Sequence, residues 1–338
     1  MGPLFNDVSC VNCHKGPVTG GGSATLETRA GKIVNGQFVE HPGGSLVRDH
    51  VISACPQYQQ HVFEGEVSTK RASVNTLGDG FIEAIADETI VDISLSQPPD
   101  VRGLVIQVPV LEAPGSTRVG RFGWKNQHGS LVSFAADAYV NEMGITSSLE
   151  PVEPTSDGNS VSSCETPSVE DKNNDVAKFA DFMRATKVPP RAQISENSQG
   201  DEDDDNAGEE IFHRIGCATC HVGAIRTAPV GTAINGGTFR VPPALGNKII
   251  HPFSDFLLHD VGTSDPIVQN GGQATFNKVR TPPLWGVRTR TRLMHDGQST
   301  NFTDAIERHG GQAAEASSIF RSLPQEERQR LLVFLGSL

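Results

Sequence analysis

The pattern of apolar and polar positions predicts helices in the middle of the chain and in its last third. Residues 170–186 show a helical spacing, which puts on one face Val176, Phe179, Ala180 and Met183. The same periodicity, with a proline just before the last segment, predicts four further helices. They cover residues 130–143, 209–215, 303–309 and 325–335.

The first third of the chain lacks such a period. Residues 18–120 are rich in Gly, Val, Thr and Ser, and their apolar positions alternate over short runs such as residues 104–110. This pattern predicts loops and short strands. Residues 150–168 read as a loop, and the acidic run from Asp201 to Asp205 predicts a solvated linker. The expected fold is therefore mainly α, with irregular loops and short strands.

Length, composition and charge narrow the classes of function. A chain of 338 residues is long enough for two domains, and its 35 Gly and 21 Pro fit a loop-rich globular protein. No apolar run approaches the length of a membrane span. The net charge of −12 argues against a nucleic-acid partner and is compatible with a basic protein partner.

Four of the six cysteines fall in two C-x-x-C-H strings, Cys10-Cys13-His14 and Cys217-Cys220-His221. Two thiols at this spacing reach both vinyl groups of a haem, and the histidine that follows can ligate the iron. Zinc is the competing interpretation, but zinc needs no histidine after both pairs, and its cysteine pairs usually lie closer together. The sequence therefore predicts two covalently bound haem c groups, with His14 and His221 as iron ligands.

The two other cysteines, Cys55 and Cys164, are either buried thiols or a disulfide, and their spacing does not decide between these. Covalent haem implies export, so we expect a bacterial periplasmic or secreted protein. Residues 1–9 contain no secretory leader. A helix normally leads into a haem string, yet only Leu4 and Phe5 could belong to one before the first string. We therefore expect a chain truncated at its N-terminus.

Several further strings resemble a known family. TPPLWG, HDG and HGG, in or next to residues 279–309, resemble the C-terminal haem domain of the bacterial dihaem cytochrome c peroxidases. They resemble the di-haem oxidoreductase family more closely still. The resemblance continues through GFIEAIADETI, GRFGWKNQHGSL, NEMGITS and FSDFLLHDVGT, and it is weakest over residues 18–75. It implies two cytochrome c-type haem domains and an oxidoreductase activity.

For the second haem, the resemblance implies an additional axial ligand. The peroxidases have a methionine a fixed distance after the HDG string, and His309 holds that place in this chain. Ligation by His221 and His309 would give a lower potential than a His/Met pair, because methionine ligation raises the potential. His295 is expected beside this haem as a structural or propionate-side group, not as a ligand.

For the first haem, the resemblance implies a catalytic carboxylate. The peroxidases use an acid near the open haem face to move protons, and Glu142 holds its place, although an exposed helical glutamate is the alternative. Trp124 matches a tryptophan between the two haems, where it could relay electrons; core packing is the alternative. Phe134 replaces a glutamine of the peroxidase site, which removes a polar group.

The sixth ligand of the first haem stays open. The peroxidases carry a histidine shortly after the first string, whereas the nearest ones after His14 are His41, His50 and His61. Either this haem is open or one of these three reaches it. The peroxidases often hold calcium between their domains, so calcium is a further candidate cofactor that the sequence does not decide.

Taken together, the sequence predicts an N-terminal haem domain over residues 1–165, truncated at its start and carrying a strand and loop insertion. A helix and acidic linker over residues 166–206 lead to a C-terminal haem domain over residues 207–338. The expected reaction is reduction of hydrogen peroxide with electrons from a small cytochrome or copper protein. One alternative is an electron-transfer dihaem cytochrome without a substrate, and another is a high-valent dihaem enzyme that oxidises another substrate.

Overall fold

The computed structural model describes residues 2–153, 155, 164, 168–192 and 202–338, with side chains in the last range from residue 206 onward. The described helices are α1 Cys10–Cys13, α2 Asp79–Glu83, α3 Asp87–Ser96, α4 Leu131–Met143, α5 Asp175–Ala185, α6 Glu202–Arg214, α7 Phe302–Glu307, α8 Ala314–Ser322 and α9 Gln325–Ser337. The described strands are β1 Leu4–Phe5, β2 Leu26–Val34, β3 Gln37–Val39, β4 Leu46–Val47, β5 His50–Val51, β6 Val67–Ala72, β7 Gln107–Pro109, β8 Thr117–Val119, β9 Ile225–Arg226, β10 Ala233–Ile234, β11 Phe239–Arg240, β12 Ile249–Ile250, β13 Leu258–Asp260 and β14 Lys278–Arg280.

The strands form small antiparallel sheets. In the largest of them β2 pairs with β3, β4 and β6. The register of β2 with β6 puts Leu26 opposite Ala72 and Glu27 opposite Arg71. The other described sheets have two strands each and are β1–β5, β7–β8, β9–β12, β10–β11 and β13–β14.

The expectation of a mainly α fold with two haem domains is wrong. Helices account for 32% of the chain and strands for 16%, and the described residues do not separate into two cytochrome c-type domains. The physical reason is a shared core, since residues from both halves of the chain pack in one apolar cluster. Ile82, Leu131 and Val176 belong to it together with Phe256 and Trp285. The domain boundaries at residues 165 and 206 stay a prediction.

Both helices predicted in the middle of the chain are confirmed. α4 begins after Ser130, whose side-chain oxygen accepts a hydrogen bond from the backbone N–H of Ser133. It ends at Gly144, whose φ of 63° is left-handed, and a Cβ at this position would lie 2.4 Å from the carbonyl oxygen of Leu4. α5 buries one apolar face, as its periodicity predicts, through Val176, Ala180 and Met183.

Three local predictions were wrong. α6 begins at Glu202, so residues 202–206 of the predicted linker are helical, while Asp201 lies outside the described residues. Leu4 and Phe5 form a strand paired with β5, not the end of a helix. α3 lies in the stretch predicted as loops and strands; it buries only Ile90 and Ser94, so its sequence carries a weak helical pattern.

A second apolar cluster lies beside the second haem string. α6 packs against α9, and the rings of Phe212, Phe253 and Phe334 contact one another at centroid distances of 5.4–6.1 Å. Aromatic packing of this kind fixes the end of α6 from which the second string continues.

The two remaining cysteines, Cys55 and Cys164, form a disulfide with Cα atoms 5.5 Å apart. This decides between the alternatives that the sequence left open. Within the described part of the chain, no helix has both the length and the apolar character needed to cross a membrane.

Candidate functional site

The first haem string lies on α1, a single helical turn. Cys10, Cys13 and His14 all line one cavity, called the first cavity below. The backbone N–H of His14 closes the turn by donating to the carbonyl oxygen of Cys10 at 2.9 Å. The Nδ1 atom of His14 lies 3.0 Å from the carbonyl oxygen of Gly21. Because a carbonyl only accepts, Nδ1 carries the hydrogen and Nε2 keeps its lone pair.

The second haem string follows α6 directly. Cys217, Cys220 and His221 line another cavity, called the second cavity below, and His309 lines it too. Nδ1 of His221 lies 2.9 Å from the carbonyl oxygen of Phe253, so its Nε2 atom also keeps its lone pair. Burial lowers the pKa of His221 to about 4, which keeps the ring neutral, as metal ligation requires.

His309 is held in the same way by the segment after α7. Its Nδ1 atom lies 2.7 Å from the carbonyl oxygen of Ala305, and burial lowers its pKa. The neighbouring Arg308 forms an ion pair with Asp296 of the HDG string, with Nη2 and Oδ2 2.5 Å apart. This pair ties the HDG string to the end of α7.

The residues of both cavities fit a haem. His14, His221 and His309 each bond Nδ1 to a backbone carbonyl, which is how iron-ligating histidines are usually oriented. The four string cysteines are free thiols, as thioether formation requires. The guanidinium groups of the buried Arg280 and the half-buried Arg290 also line the second cavity, and neither forms an ion pair in the described part of the chain. They suit the carboxylates of a haem.

The zinc interpretation fits the structure less well. One zinc ion held by both cysteine pairs would need all four sulfurs at one point, whereas the two pairs line different cavities. Among the described residues, the one group of three metal-ligating side chains is Cys220, Asp255 and His259. The predicted calcium ion stays a prediction from the resemblance.

Trp124 lines both cavities. Its side chain is buried, and its indole N–H donates to the carbonyl oxygen of Ala72 at 2.7 Å. The ring of His295 packs edge-on against it at a centroid distance of 6.1 Å. The side chain of Trp124 therefore lies between the two candidate haem sites.

Glu142 lines the first cavity from the last turn of α4. Its Oε2 atom accepts a hydrogen bond from the side-chain amide of Asn6 at 2.9 Å. The side chain is 36% exposed, so it is only half-buried; this partial burial, and next the charge of Glu27, raise the pKa of Glu142 to about 8. The carboxyl group is therefore mostly protonated at neutral pH, as a general acid needs to be.

Phe134 faces the same cavity two turns earlier on α4. Its ring stacks on that of Phe122, with the centroids 5.8 Å apart. Phe134, which replaces a glutamine of the peroxidases, therefore forms an apolar wall of the cavity. The carboxyl groups that α4 contributes to the first cavity are those of Asp137 and Glu142.

The three histidines nearest the first string do not line the first cavity. The Nε2 atom of His41 lies 2.9 Å from Oε1 of Glu66, and the rings of His50 and His61 pack against phenylalanines. The structure therefore gives no support to any of the three as the sixth ligand of the first haem, and the identity of that ligand stays open. His295 lines the second cavity, where its Nδ1 atom lies 3.3 Å from the hydroxyl oxygen of Thr263. Its Nε2 atom has no hydrogen-bond partner among the residues that the structure describes.

Sequence reasoning missed three groups at these sites. Glu27 and Arg29 reach the first cavity from β2, in the part of the chain that resembles the family least. His259 lines the second cavity, with Nε2 2.8 Å from Asp255 and Nδ1 3.7 Å from the sulfur of Cys220. The spacing of four between Asp255 and His259 was a readable signal, whereas nothing in the sequence linked Glu27 with Glu142.

The chain is similar to two solved structures of low identity. One is a hydrazine synthase of Kuenenia stuttgartiensis, 18% identical, with 48% of this chain and 55% of that chain covered and a TM-score of 0.32. The other is a MauG-like protein associated with microbial copper homeostasis, 15% identical, with 79% of this chain and 89% of that chain covered and a TM-score of 0.37. No curated protein matches the sequence.

The sequence matches one protein family over most of its length. The family is described as "Di-haem oxidoreductase, putative peroxidase", and the match covers residues 52–338. The first haem string lies before this range, so its assignment rests on the motif and on the cavity that it lines. Since the match spans well over half of the chain, the protein belongs to the di-haem oxidoreductase family and is an oxidoreductase that uses haem.

Proposed function

We propose that the protein reduces hydrogen peroxide at the first cavity, with electrons that a small cytochrome or copper protein delivers through the second. Both haems are covalently attached in this proposal, at Cys10 and Cys13 and at Cys217 and Cys220. The attachment chemistry implies a periplasmic or secreted protein. The observation that carries the proposal is that Glu142, with its raised pKa, lines the same cavity as the first haem string.

Peroxide reduction consumes two electrons and two protons and releases two water molecules. The haem of the first cavity supplies the iron at which peroxide binds. Glu142 supplies a proton from its carboxyl oxygen to the oxygen that leaves as water, because its pKa of about 8 keeps that proton in place at neutral pH. Asn6 fixes the orientation of this carboxyl through its hydrogen bond to Oε2. Phe134 and Phe179, which also line the cavity, exclude competing water.

The second cavity serves electron transfer in this proposal. His221 and His309 line one cavity, and each keeps its Nε2 lone pair, so both could ligate one haem iron there and would leave it no position for a substrate. Trp124 lines both cavities and supports a short electron route between them. The net charge of −12 favours a basic electron donor.

Rapid mixing of the reduced protein with hydrogen peroxide tests the proposal. We expect the absorbance to report oxidation by one equivalent of peroxide, and the variant Glu142→Gln to react about 10²–10⁴ times more slowly, the usual contribution of a general acid. Glu88→Gln is the matched control, because Glu88 is an exposed glutamate of α3 outside both cavities. An unchanged rate in Glu142→Gln, or no oxidation of the parent protein, would overturn the proposal.

A second candidate function is supported by the apolar wall. Phe134 stands where the peroxidases carry a polar side chain, and Trp124 connects the first cavity with the second. A site of this kind could withdraw electrons from another substrate through oxidised haems. Slow turnover with electron donors, combined with fast reaction of the oxidised protein with peroxide, would favour this candidate over the peroxidase.

A further inference from the structure

The largest sheet contributes two charged side chains to the first cavity. Glu27 and Arg29 are two residues apart on β2, so both point to the same side of the strand. Both line the first cavity. They come from the segment that the family resemblance covers least, and they face Glu142, which lies 115 positions further along the chain from Glu27.

Arg29 is bound to Glu27 more closely than to Glu142. Its Nε and Nη2 atoms lie 2.9 and 3.2 Å from the two carboxylate oxygens of Glu27. The distance from Nη2 to Oε1 of Glu142 is 3.9 Å, which is beyond hydrogen-bond length. Across the sheet, Arg71 is the register partner of Glu27, but its guanidinium is already paired with Asp265 at 2.8 Å.

The pair of carboxyl groups therefore shares one nearby guanidinium. A side-chain hydrogen bond also joins Glu27 and Glu142. Two carboxylates in contact cannot easily both ionise, and one of them holds a proton. The charged and titratable groups that act on Glu142 are Glu27 and Arg29 from β2, Arg48, and the thiols Cys10 and Cys13. Arg48 donates instead to the side chain of Asn141, and haem attachment converts the two thiols to thioethers. Asp7 and Asp137 also line the first cavity, but among the carboxylates it is the charge of Glu27 that raises the pKa of Glu142.

We propose that Glu27 is a positioning residue that keeps the carboxyl group of Glu142 protonated, and that Arg29 holds Glu27 as the charged member of the pair. This rests on the proposed function, in which Glu142 is the proton donor. The division of roles follows from the contacts, since Glu27 has the bidentate guanidinium while Glu142 has a neutral amide partner.

The direction of the two pKa values agrees with this division. Burial would raise the pKa of Glu27, but other groups outweigh burial and lower it. The largest of these effects are the charge and hydrogen bonds of Arg29, and the charge of Arg71 and the hydrogen bond with Glu142 act in the same direction. For Glu142, burial and the charge of Glu27 both raise the pKa, and Arg29 and Asn6 oppose them only in part. Removing the charge of Glu27 should therefore lower the pKa of Glu142, and Arg29 becomes free to turn towards it.

Infrared titration of the haem-loaded protein measures the pKa of Glu142 without turnover. The carbonyl stretch of a protonated carboxylic acid is followed with pH, and the band of Glu142 is identified by its loss in Glu142→Gln. We expect Glu27→Gln to lower the midpoint of this band by about 1–3 pH units, the usual effect of one nearby charge. Glu27→Asp, which keeps the charge, should restore most of the original midpoint. Glu64→Gln, an exposed glutamate before β6, is the control and should leave the midpoint unchanged.

The outcomes separate this inference from the proposed function. A midpoint that stays within about 0.3 pH unit in Glu27→Gln would overturn the inference, whatever the peroxide rate. A midpoint that falls while the peroxide rates of Glu142→Gln and the parent protein are equal would support the carboxyl pair and overturn the catalytic role of Glu142. If the midpoint falls, and the alkaline limb of the pH profile of the peroxide rate moves to lower pH with it, both the carboxyl pair and the catalytic role of Glu142 are supported.

Discussion

Replacing Glu83 with alanine should destabilise the protein strongly, because this carboxylate joins four parts of the fold. Its Oε2 atom accepts from Nε of Arg184 at 2.7 Å, and its Oε1 atom accepts from Nη2 of the same side chain at 3.0 Å. Oε1 also accepts from the side-chain amide of Asn235 at 2.9 Å and from the backbone N–H of Leu131 at 2.8 Å. Leu131 is the first residue of α4, the helix that carries Glu142.

The loss of stability expected for Glu83→Ala follows from the burial of its ion pair with Arg184. Glu83 is 0% exposed and the Arg184 side chain is 11% exposed. Removing one member of a buried ion pair leaves the other uncompensated, which costs about 3–5 kcal/mol. At roughly 2 °C per kcal/mol for a protein of this size, the melting temperature should fall by about 6–10 °C. Glu83→Gln keeps the shape of the side chain and loses its charge, so its melting temperature should lie between those of the parent protein and Glu83→Ala.

Thermal unfolding of the parent protein, Glu83→Ala and Glu326→Ala measures this. Glu326 forms an exposed pair with Arg330 and should cost less than about 1 kcal/mol. The Arg184 charge and hydrogen bonds outweigh burial and hold the pKa of Glu83 below its ordinary 4.5. A carboxyl group whose pKa is lowered by folding stabilises the folded protein at pH values above its ordinary pKa, and this stabilisation is lost as the pH falls through the pKa of the folded state. The difference in unfolding free energy between the parent protein and Glu83→Ala should therefore shrink in acid. Equal losses for the two alanine variants would refute the reasoning.

Three further outcomes are expected. Cys55→Ala opens a loop of 109 residues closed by the bond to Cys164, so the free energy of unfolding in denaturant should fall by about 2–5 kcal/mol, and a reductant should no longer affect the variant. His309→Met should raise the reduction potential of one haem and leave the other unchanged in a spectroelectrochemical titration; a shift of both would argue against separate sites. Trp124→Phe should slow electron transfer between the haems after flash reduction while both absorption spectra stay the same, and an unchanged rate would reduce Trp124 to core packing.

The sequence predicted those parts of the fold whose signals are local. α4 and α5 show a clear apolar period, and α4 has a capping serine at its start and a glycine at its end. The strand β1 has only two residues, too few to show a periodic pattern. It forms because it pairs with β5, in which the partner of Phe5 lies 45 positions further along the chain. The fold class was wrong for the same reason: small sheets and a core shared by both halves depend on long-range contacts.

In the candidate site too, the residues marked by local motifs could be predicted, and those that depend on long-range contacts could not. The cysteine strings and His309 were found because motifs and a family pattern mark them in the sequence, and the structure brings His221 and His309 to one cavity. Glu27 carries no motif, and its relation to Glu142 exists only after β2 has paired with β6 and residues of β2 and α4 line the same cavity. Charge pairs between distant segments cannot be read from spacing, so Glu27 and Arg29 required the structure.

Electron paramagnetic resonance of the oxidised and half-reduced protein shows whether each haem iron has an open position. We expect the first haem to have a position open to peroxide, and His221 and His309 to fill both axial positions of the second. The first haem should then give a high-spin signal in at least one of the two states, and the second should give a low-spin signal in the oxidised protein. Two low-spin signals and no high-spin signal in either state would contradict this expectation and identify an electron-transfer cytochrome.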